Sequence, residues 1–302
     1  MFPPSCAGYL RRVTASIAWQ LRGRALALDR PIVVGIVNVT PDSFSDGGQF
    51  LGADAAVSHA ARLLEDGADV LDIGGESTRP QAATPVAADE ERRRVLPVVR
   101  ALRARFPDAV LSVDTVKSEV ARDALDAGAD VINDVSAFRL DPRVSEITAA
   151  AGAGVILMHS RGDVSEMATF AHANYGTDVA AEVFAELRGA AERAIAAGVA
   201  RESIVLDPGV GFAKRGEHSL AVLAALPRLA EAGFPVMVGV SRKRFIGELT
   251  GVTDPLGRVH GTTGANVAAL TRGARLFRVH DVQPARQALD VAWAALGLGG
   301  AA

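Results

Sequence analysis

The 302-residue chain has one cysteine, Cys6, which excludes an intrachain disulfide and any cysteine-rich metal cluster. Aromatic residues are scarce, at 5%, yet 49% of the residues are hydrophobic, enough to bury a large core as one big domain or two small ones. Neither charge sign is in marked excess. A formal charge of −3 and a pI near 6.1 give no reason to expect nucleic acid or an anionic membrane as a partner. Basic residues are dispersed, with short clusters only at Arg92–Arg94 and Arg242–Arg244, which read as a solvated helix face and a loop site. No apolar run is long enough to span a bilayer. Arg11 and Arg12 are followed by no continuous apolar segment, so no signal peptide is expected and the cytoplasm is the expected location.

What the chain does have is a repeated unit, first seen between Pro31 and Gly48. An apolar, β-branched run, Ile32–Val37, reads as a strand buried on both faces. It ends on the polar Asn38 and passes into a loop of Thr, Pro, Asp, Ser and Gly. Strand, polar residue, loop and helix then recur. Later strands are expected at Val70–Ile73, Val110–Val113, Val131–Ile132, Val155–Met158, Ile204–Leu206, Val236–Val240 and Leu276–Val279. The first helix is expected to start at Asp54 as its N-cap, a long one to cover Thr177–Ala197, and the sixth to run to Gly233. Glycines 67, 128, 152 and 273 each open a short segment that closes a helix just before a strand. Upstream, Ile17–Leu21 and Arg24–Leu28 flank Arg22-Gly23 as a short hairpin. Residues 1–16, with Pro3, Pro4 and Gly8, are expected to form a flexible lead-in to one barrel domain over 17–297. An open doubly wound sheet shares this alternation, but eight units with polar residues at nearly every strand end favour a (β/α)₈ TIM barrel.

In such a barrel the C-terminal strand ends meet at one mouth. They deliver Asn38, Asp72 (one residue earlier), Asp114, Asn133, His159, Asp207, Lys243, Arg278 and His280. Singly, an Asp or Asn after a strand is more often a turn or cap residue. Together, so many polar groups facing one cavity call for a polar ligand. Asp114, Asn133 and Asp207 suit a flat heterocycle with adjacent N–H groups and ring acceptors. Arg79, Arg278, His280 and Lys243 suit an anion, most naturally phosphate. Asn38, with phosphate and water, fits Mg²⁺. Ser43 and Ser241 are conceivable nucleophiles, but no Ser–His–Asp arrangement accompanies them. The Gly-Val-Gly at Gly209–Gly211 lacks the third glycine of a dinucleotide fingerprint and suits close approach of backbone to a flat ring.

The segments Asn38–Gly48, Gly74–Pro80, Ser112–Thr115, Asn133–Ser136, Leu206–Lys214, Ser241–Lys243 and Arg278–Val282 together resemble the dihydropteroate synthases, over about Leu21 to Leu296. The resemblance implies condensation of 6-hydroxymethyl-7,8-dihydropterin diphosphate with 4-aminobenzoate on a pterin-binding barrel, commonly a homodimer. It implies Asn38 as ligand of Mg²⁺ and diphosphate, with Asn38, Asp46 and Lys243 as the catalytic set. Asp114, Asn133, Asp207 and Lys243 would hold the pterin beside Met158 and Phe212, and Arg278 and His280 the diphosphate. Thr78 would serve both substrates, and Phe44, Pro80 and Arg244 the aminobenzoate. Two departures stand out: Gln81 replaces the usual glycine, and Arg244 either pairs with the aminobenzoate carboxylate or faces solvent. A pterin-binding methyl-transfer barrel and a non-catalytic pterin-binding paralogue are the alternatives.

Overall fold

The computed structural model describes residues 18–39, 49–76 and 85–298. Within them, eight parallel strands form one sheet: β3 (Ile32–Asn38), β4 (Val70–Gly74), β5 (Val110–Asp114), β6 (Val131–Asp134), β7 (Gly154–Met158), β8 (Ile204–Asp207), β9 (Met237–Val238) and β10 (Leu276–Val279). Neighbours pair in chain order from β3 to β8, and β10 bridges β3 to β9. A parallel bridge between Leu206 and Val236 joins β8 to the start of β9 and closes the ring. The closed (β/α)₈ barrel is therefore the fold, and the open sheet is excluded.

Helices α1 (Gln49–Glu65), α2 (Ala88–Arg105), α3 (Ser118–Asp126), α4 (Arg143–Ala151) and α5 (Val179–Ala196) follow β3 to β7 in turn. After them come α6 (Gly216–Ala224), α7 (Leu226–Ala230), α8 (Arg244–Thr250), α9 (Val259–Leu270) and α10 (Val282–Ala295). Three sequence expectations change. The first helix begins at Gln49, five residues before Asp54, so Asp54 is an interior residue and not its cap. The expected sixth helix is two, broken at Ala225 because Pro227 starts a new first turn. The seventh strand shortens to Met237–Val238, because Gly239 and the turn after it leave the ladder. Gly152, at φ 60, closes α4 in the left-handed conformation. The lead-in expected over 1–16 lies outside the described residues.

Strand side chains alternate between two cores. Outward residues such as Val33, Leu71, Leu111, Ile132, Leu206 and Phe277 pack against the helices. Inward residues at the strand starts (Val34, Val70, Val110, Val131, Ile156 and Val205 among them) form a separate apolar layer inside the barrel. Two residues further along the same inward rows stand Asp72, Ser112, Asn133, Met158, Asp207 and Arg278. The barrel interior thus turns from apolar to polar along its axis.

The apolar end is closed by the hairpin β1 (Ala18–Leu21) and β2 (Arg24–Ala27). Trp19 and Leu21 pack onto the inward layer, and Gly154 admits them because a Cβ there would meet Leu21 Cδ2 at 2.6 Å. Trp19 is fully buried, and its indole N–H donates to the Ser203 carbonyl at 2.8 Å. Trp19→Ala should therefore cost about 3–5 kcal/mol of unfolding free energy in denaturant titration, while ligand affinity at the opposite mouth stays near wild type.

Candidate active site

The polar end of the barrel opens into a cavity of about 760 Å³. Behind its wall lies Asp72, completely buried and bonded to Asn133 and Arg278, which do line the cavity. The carboxylate accepts from Ser112 Oγ at 2.6 Å, from Asn133 Nδ2 at 3.0 Å and from Arg278 Nε at 2.6 Å. Arg278 Nη2 also donates to Asp114 at 2.8 Å. One guanidinium thus serves two carboxylates. Burial pushes Asp114 above the ordinary carboxylate range, Asp72 pushes the same way, and Arg278 opposes both. With its Nδ2 committed, Asn133 turns Oδ1 to a position where it has no hydrogen-bond partner among the described residues. An incoming donor would satisfy it.

Across the cavity, Asp207 ends β8 and begins a tight turn. Its Oδ1 accepts from the Gly209 N–H at 2.7 Å. Gly209 is at φ 64, and a Cβ there would run into the His159 carbonyl oxygen, so only glycine fits. Burial raises Asp207 to about 6; the Gly209 N–H, Lys243 and Arg278 restrain the rise. Phe212 comes next on the same turn, with Lys243 Nζ 3.8 Å from its ring centroid. Burial, with Arg278 nearby, lowers Lys243 to about 8.

Lys243 is aimed by a strained turn. Arg242 is held at φ 56, a conformation unfavourable for a side-chain-bearing residue. A bidentate pair to Asp281 at 2.9 and 2.6 Å holds it there. Its N–H donates to Thr262 Oγ1, and its carbonyl accepts from Arg258. Ser241 Oγ accepts from the His280 backbone N–H at 3.1 Å and shares a further hydrogen bond with His280 Nδ1 at 2.9 Å. Ser241 is therefore tied to His280 through both the ring and the backbone, and the proposed chemistry uses it to orient the histidine.

Apart from Asp72 and His159, the residues predicted for the mouth that lie within the described segments meet on this one cavity: Asn38, Asp114, Asn133, Met158 and Asp207 on strand ends, and Phe212, Lys243, Arg244, Arg278 and His280 around them. Arg244 is exposed at the rim, 3.9 Å from the Phe170 ring centroid and 3.7 Å from Glu248. Phe44, Asp46, Thr78, Arg79 and Pro80 fall outside the described residues. His159, expected at the mouth, is instead 3% exposed and faces Lys214 and Glu186; burial, together with the Lys214 charge, lowers it to about 4. Sequence reasoning gave Asp72 no partner and Lys214 no role. The one available signal for Lys214 was its place at the end of the Asp207 motif.

A sequence model of the pterin binding enzyme family matches residues 34–280. The chain belongs to this family, among the dihydropteroate synthases. Dihydropteroate synthase of Neisseria meningitidis is 44% identical over 283 residues, covering 93% of this chain and 98% of that protein. The Synechocystis enzyme is 43% identical over 263 residues, 87% of this chain and 89% of its own length. Among solved structures, Xanthomonas albilineans dihydropteroate synthase with 4-aminobenzoic acid is 49% identical. It superposes with a TM-score of 0.86 over 93% of this chain and 98% of that one. The same enzyme in complex with 7,8-dihydropteroate gives 47% identity and a TM-score of 0.81, over 92% and 98%.

A pterin analogue without the diphosphate should sense the state of Asp207. Protonation removes its charge and one acceptor, so affinity should hold above neutrality and fall about tenfold per pH unit below about pH 6. Calorimetry across that range checks this, using an analogue that does not itself titrate there. A flat profile would remove the Asp207 carboxylate from ring recognition.

Proposed function

We infer that this chain condenses 6-hydroxymethyl-7,8-dihydropterin diphosphate with 4-aminobenzoate, releasing diphosphate and forming 7,8-dihydropteroate for folate synthesis. The observation that carries the reading is the meeting of two sets of groups on one cavity wall. Asp114, Asn133 and Asp207 form an acceptor-rich set for a flat heterocycle, and Lys243 and Arg278, with the His280 imidazole beside them, a cationic set for an anion. A barrel that transfers a methyl group shares the first set and has no task for the second.

Each residue then has an orienting or electrostatic part. Asp207 accepts from the aminopyrimidinone edge, and Asn133 Oδ1 takes a further ring N–H. Met158 and Phe212 pack on the ring, with Lys243 beside Phe212. Arg278, fixed through Nε and Nη2, and His280, fixed through Nδ1, turn toward the leaving diphosphate. As the C–O bond to diphosphate breaks, the electron-rich dihydropterin stabilises the methylene cation. The arylamine nitrogen attacks that carbon and then loses a proton. No enzyme nucleophile is required, and the site supplies orientation and charge stabilisation. The segments holding Phe44 and Asp46, and Thr78 and Pro80, complete the aminobenzoate side in this reading, with Arg244 at the rim positioned to meet its carboxylate.

Mg²⁺ belongs to the same reading. Among the described residues no group of three or more His, Cys, Asp and Glu could hold a metal ion. Asn38 offers a neutral oxygen on the cavity wall beside the cationic set. That donor fits an ion arriving already bound to diphosphate and water. Bound there, Mg²⁺ would neutralise charge building on the leaving group. A cytoplasmic homodimer completes the proposal, with exposed Val291 and Leu296 on the α10 side as apolar surface to be covered.

Diphosphate release should require both substrates; equal release from the pterin diphosphate alone would point to hydrolysis and against this function. Asn38→Ala should lower turnover and raise the Mg²⁺ concentration needed for half-maximal rate, while the pterin alcohol still binds. An unchanged Mg²⁺ dependence would reduce Asn38 to a strand-end turn residue.

A further inference from the structure

Lys214 is a buried lysine, 1% exposed, to which the reaction above assigns nothing. Its ammonium donates to the Gly209 carbonyl at 3.2 Å, the Phe212 carbonyl at 3.0 Å and His159 Nδ1 at 2.8 Å. The neutral His159 ring turns its Nε2–H to the Glu186 carboxylate, so Nδ1 accepts and the three contacts take three N–H bonds, which an uncharged amine with two protons cannot supply. Burial lowers Lys214 to about 7, with Asp207 and Glu186 favouring its charge and Arg161 and Lys243 opposing it. A lysine drawn out of water in this way persists only where its partners reward the charge.

Those partners form a line from surface to cavity. His159 Nε2 meets Glu186 on α5 at 3.0 Å, and Glu186 is itself paired with Arg161. The Glu186 carboxylate can only accept, so Nε2 carries the imidazole proton and Nδ1 is left to accept from Lys214. At the inner end, the two carbonyls held by Lys214 bracket the turn that carries Gly209, whose N–H binds Asp207, and Phe212, whose ring meets Lys243. Ala213, at φ 47, is held in the same turn by its N–H bond to the Met167 carbonyl at 2.7 Å.

We propose that Lys214, oriented by His159 and Glu186, is a positioning residue for pterin recognition: it clamps the Gly209–Phe212 turn so that Asp207 and Phe212 present themselves to the ring. It acts through the turn, so its loss should fall on the pterin substrate and leave aminobenzoate untouched. The inference rests on the dihydropteroate synthase reading.

The test compares wild type with Lys214→Met, Lys214→Ala and Glu186→Gln, measuring kcat and both KM values, with calorimetry of a pterin analogue as a readout independent of turnover. Lys214→Met should raise the pterin diphosphate KM and the analogue Kd about tenfold, as expected for lost charged hydrogen bonds, with aminobenzoate KM within about twofold of wild type. Propylammonium replaces the missing side chain in Lys214→Ala and should restore analogue affinity, whereas propanol, of similar shape without the charge, should not. Should the Lys214 variants fail to fold, Glu186→Gln, at the solvent end of the line, should still raise the pterin KM about threefold, selectively. Wild-type pterin affinity in these variants, equal rises in both KM values, or rescue by propanol as complete as by propylammonium would overturn the proposal. An active wild type with such variants would overturn the clamp alone. A wild type that binds the analogue but makes no dihydropteroate would overturn the enzymatic reading, and a wild type that does not bind it would overturn both.

Discussion

A carboxylate with no access to water organises the interior of this barrel. Asp72 stands on an inward row of β4 where its predecessor, Val70, belongs to the apolar layer. A lone charge there would be prohibitively costly, so its partners must be supplied by the fold. They come from three other strands: Ser112 on β5, Asn133 on β6 and Arg278 on β10. The same bonds that neutralise Asp72 fix the faces of Asn133 and Arg278. A requirement of burial thereby becomes the orientation of a binding site.

One arginine cannot fully compensate two acids. Arg278 spans Asp72 and Asp114, and Asp114 is left with an elevated affinity for a proton. Across the cavity, Asp207 is raised and Lys243 lowered, each by loss of water. All three shifts describe polar groups that the protein alone satisfies incompletely. A ligand carrying N–H donors on one edge and negative charge on its far side relieves both deficits at once. In the proposed function, that complementarity is why the acidic and cationic sets would serve one substrate and not two sites.

Stability and recognition are kept at opposite ends of the axis. Trp19 and Leu21 seal the end where inward residues are apolar, held by packing and by the indole bond to the Ser203 carbonyl. At the other end the backbone accepts strain, at Arg242 and Ala213, because side chains around those turns over-determine them. Arg242 is held through Asp281, Thr262 and Arg258, and the Ala213 turn through Lys214 and Met167. The packed end tolerates the cost that the mouth imposes.

Much of this was legible in the sequence, because it depends on local periodicity. The strand runs, their polar endings, the hairpin at Arg22-Gly23 and the closing glycine at Gly152 each reflect a conformational preference carried within a few residues. Eight such units leave little choice but a closed ring, and the strand-end rule then gathers Asn38, Asp114, Asn133, Asp207 and Arg278 at one mouth. Where a stronger neighbour competes, local signals mislead: Asp54 looks like a cap and lies inside a helix, and one periodic stretch becomes two helices at Pro227. Partnership was beyond the sequence altogether. Asp72 finds its donors 40, 61 and 206 residues away, and Lys214 finds His159 at a separation of 55. Periodicity states that a side chain points inward; only the register of the closed barrel decides which charge it meets there. The chain's sequence therefore determined the fold and the kinds of group at the mouth, and the tertiary structure decided which are spent on one another and which face the ligand.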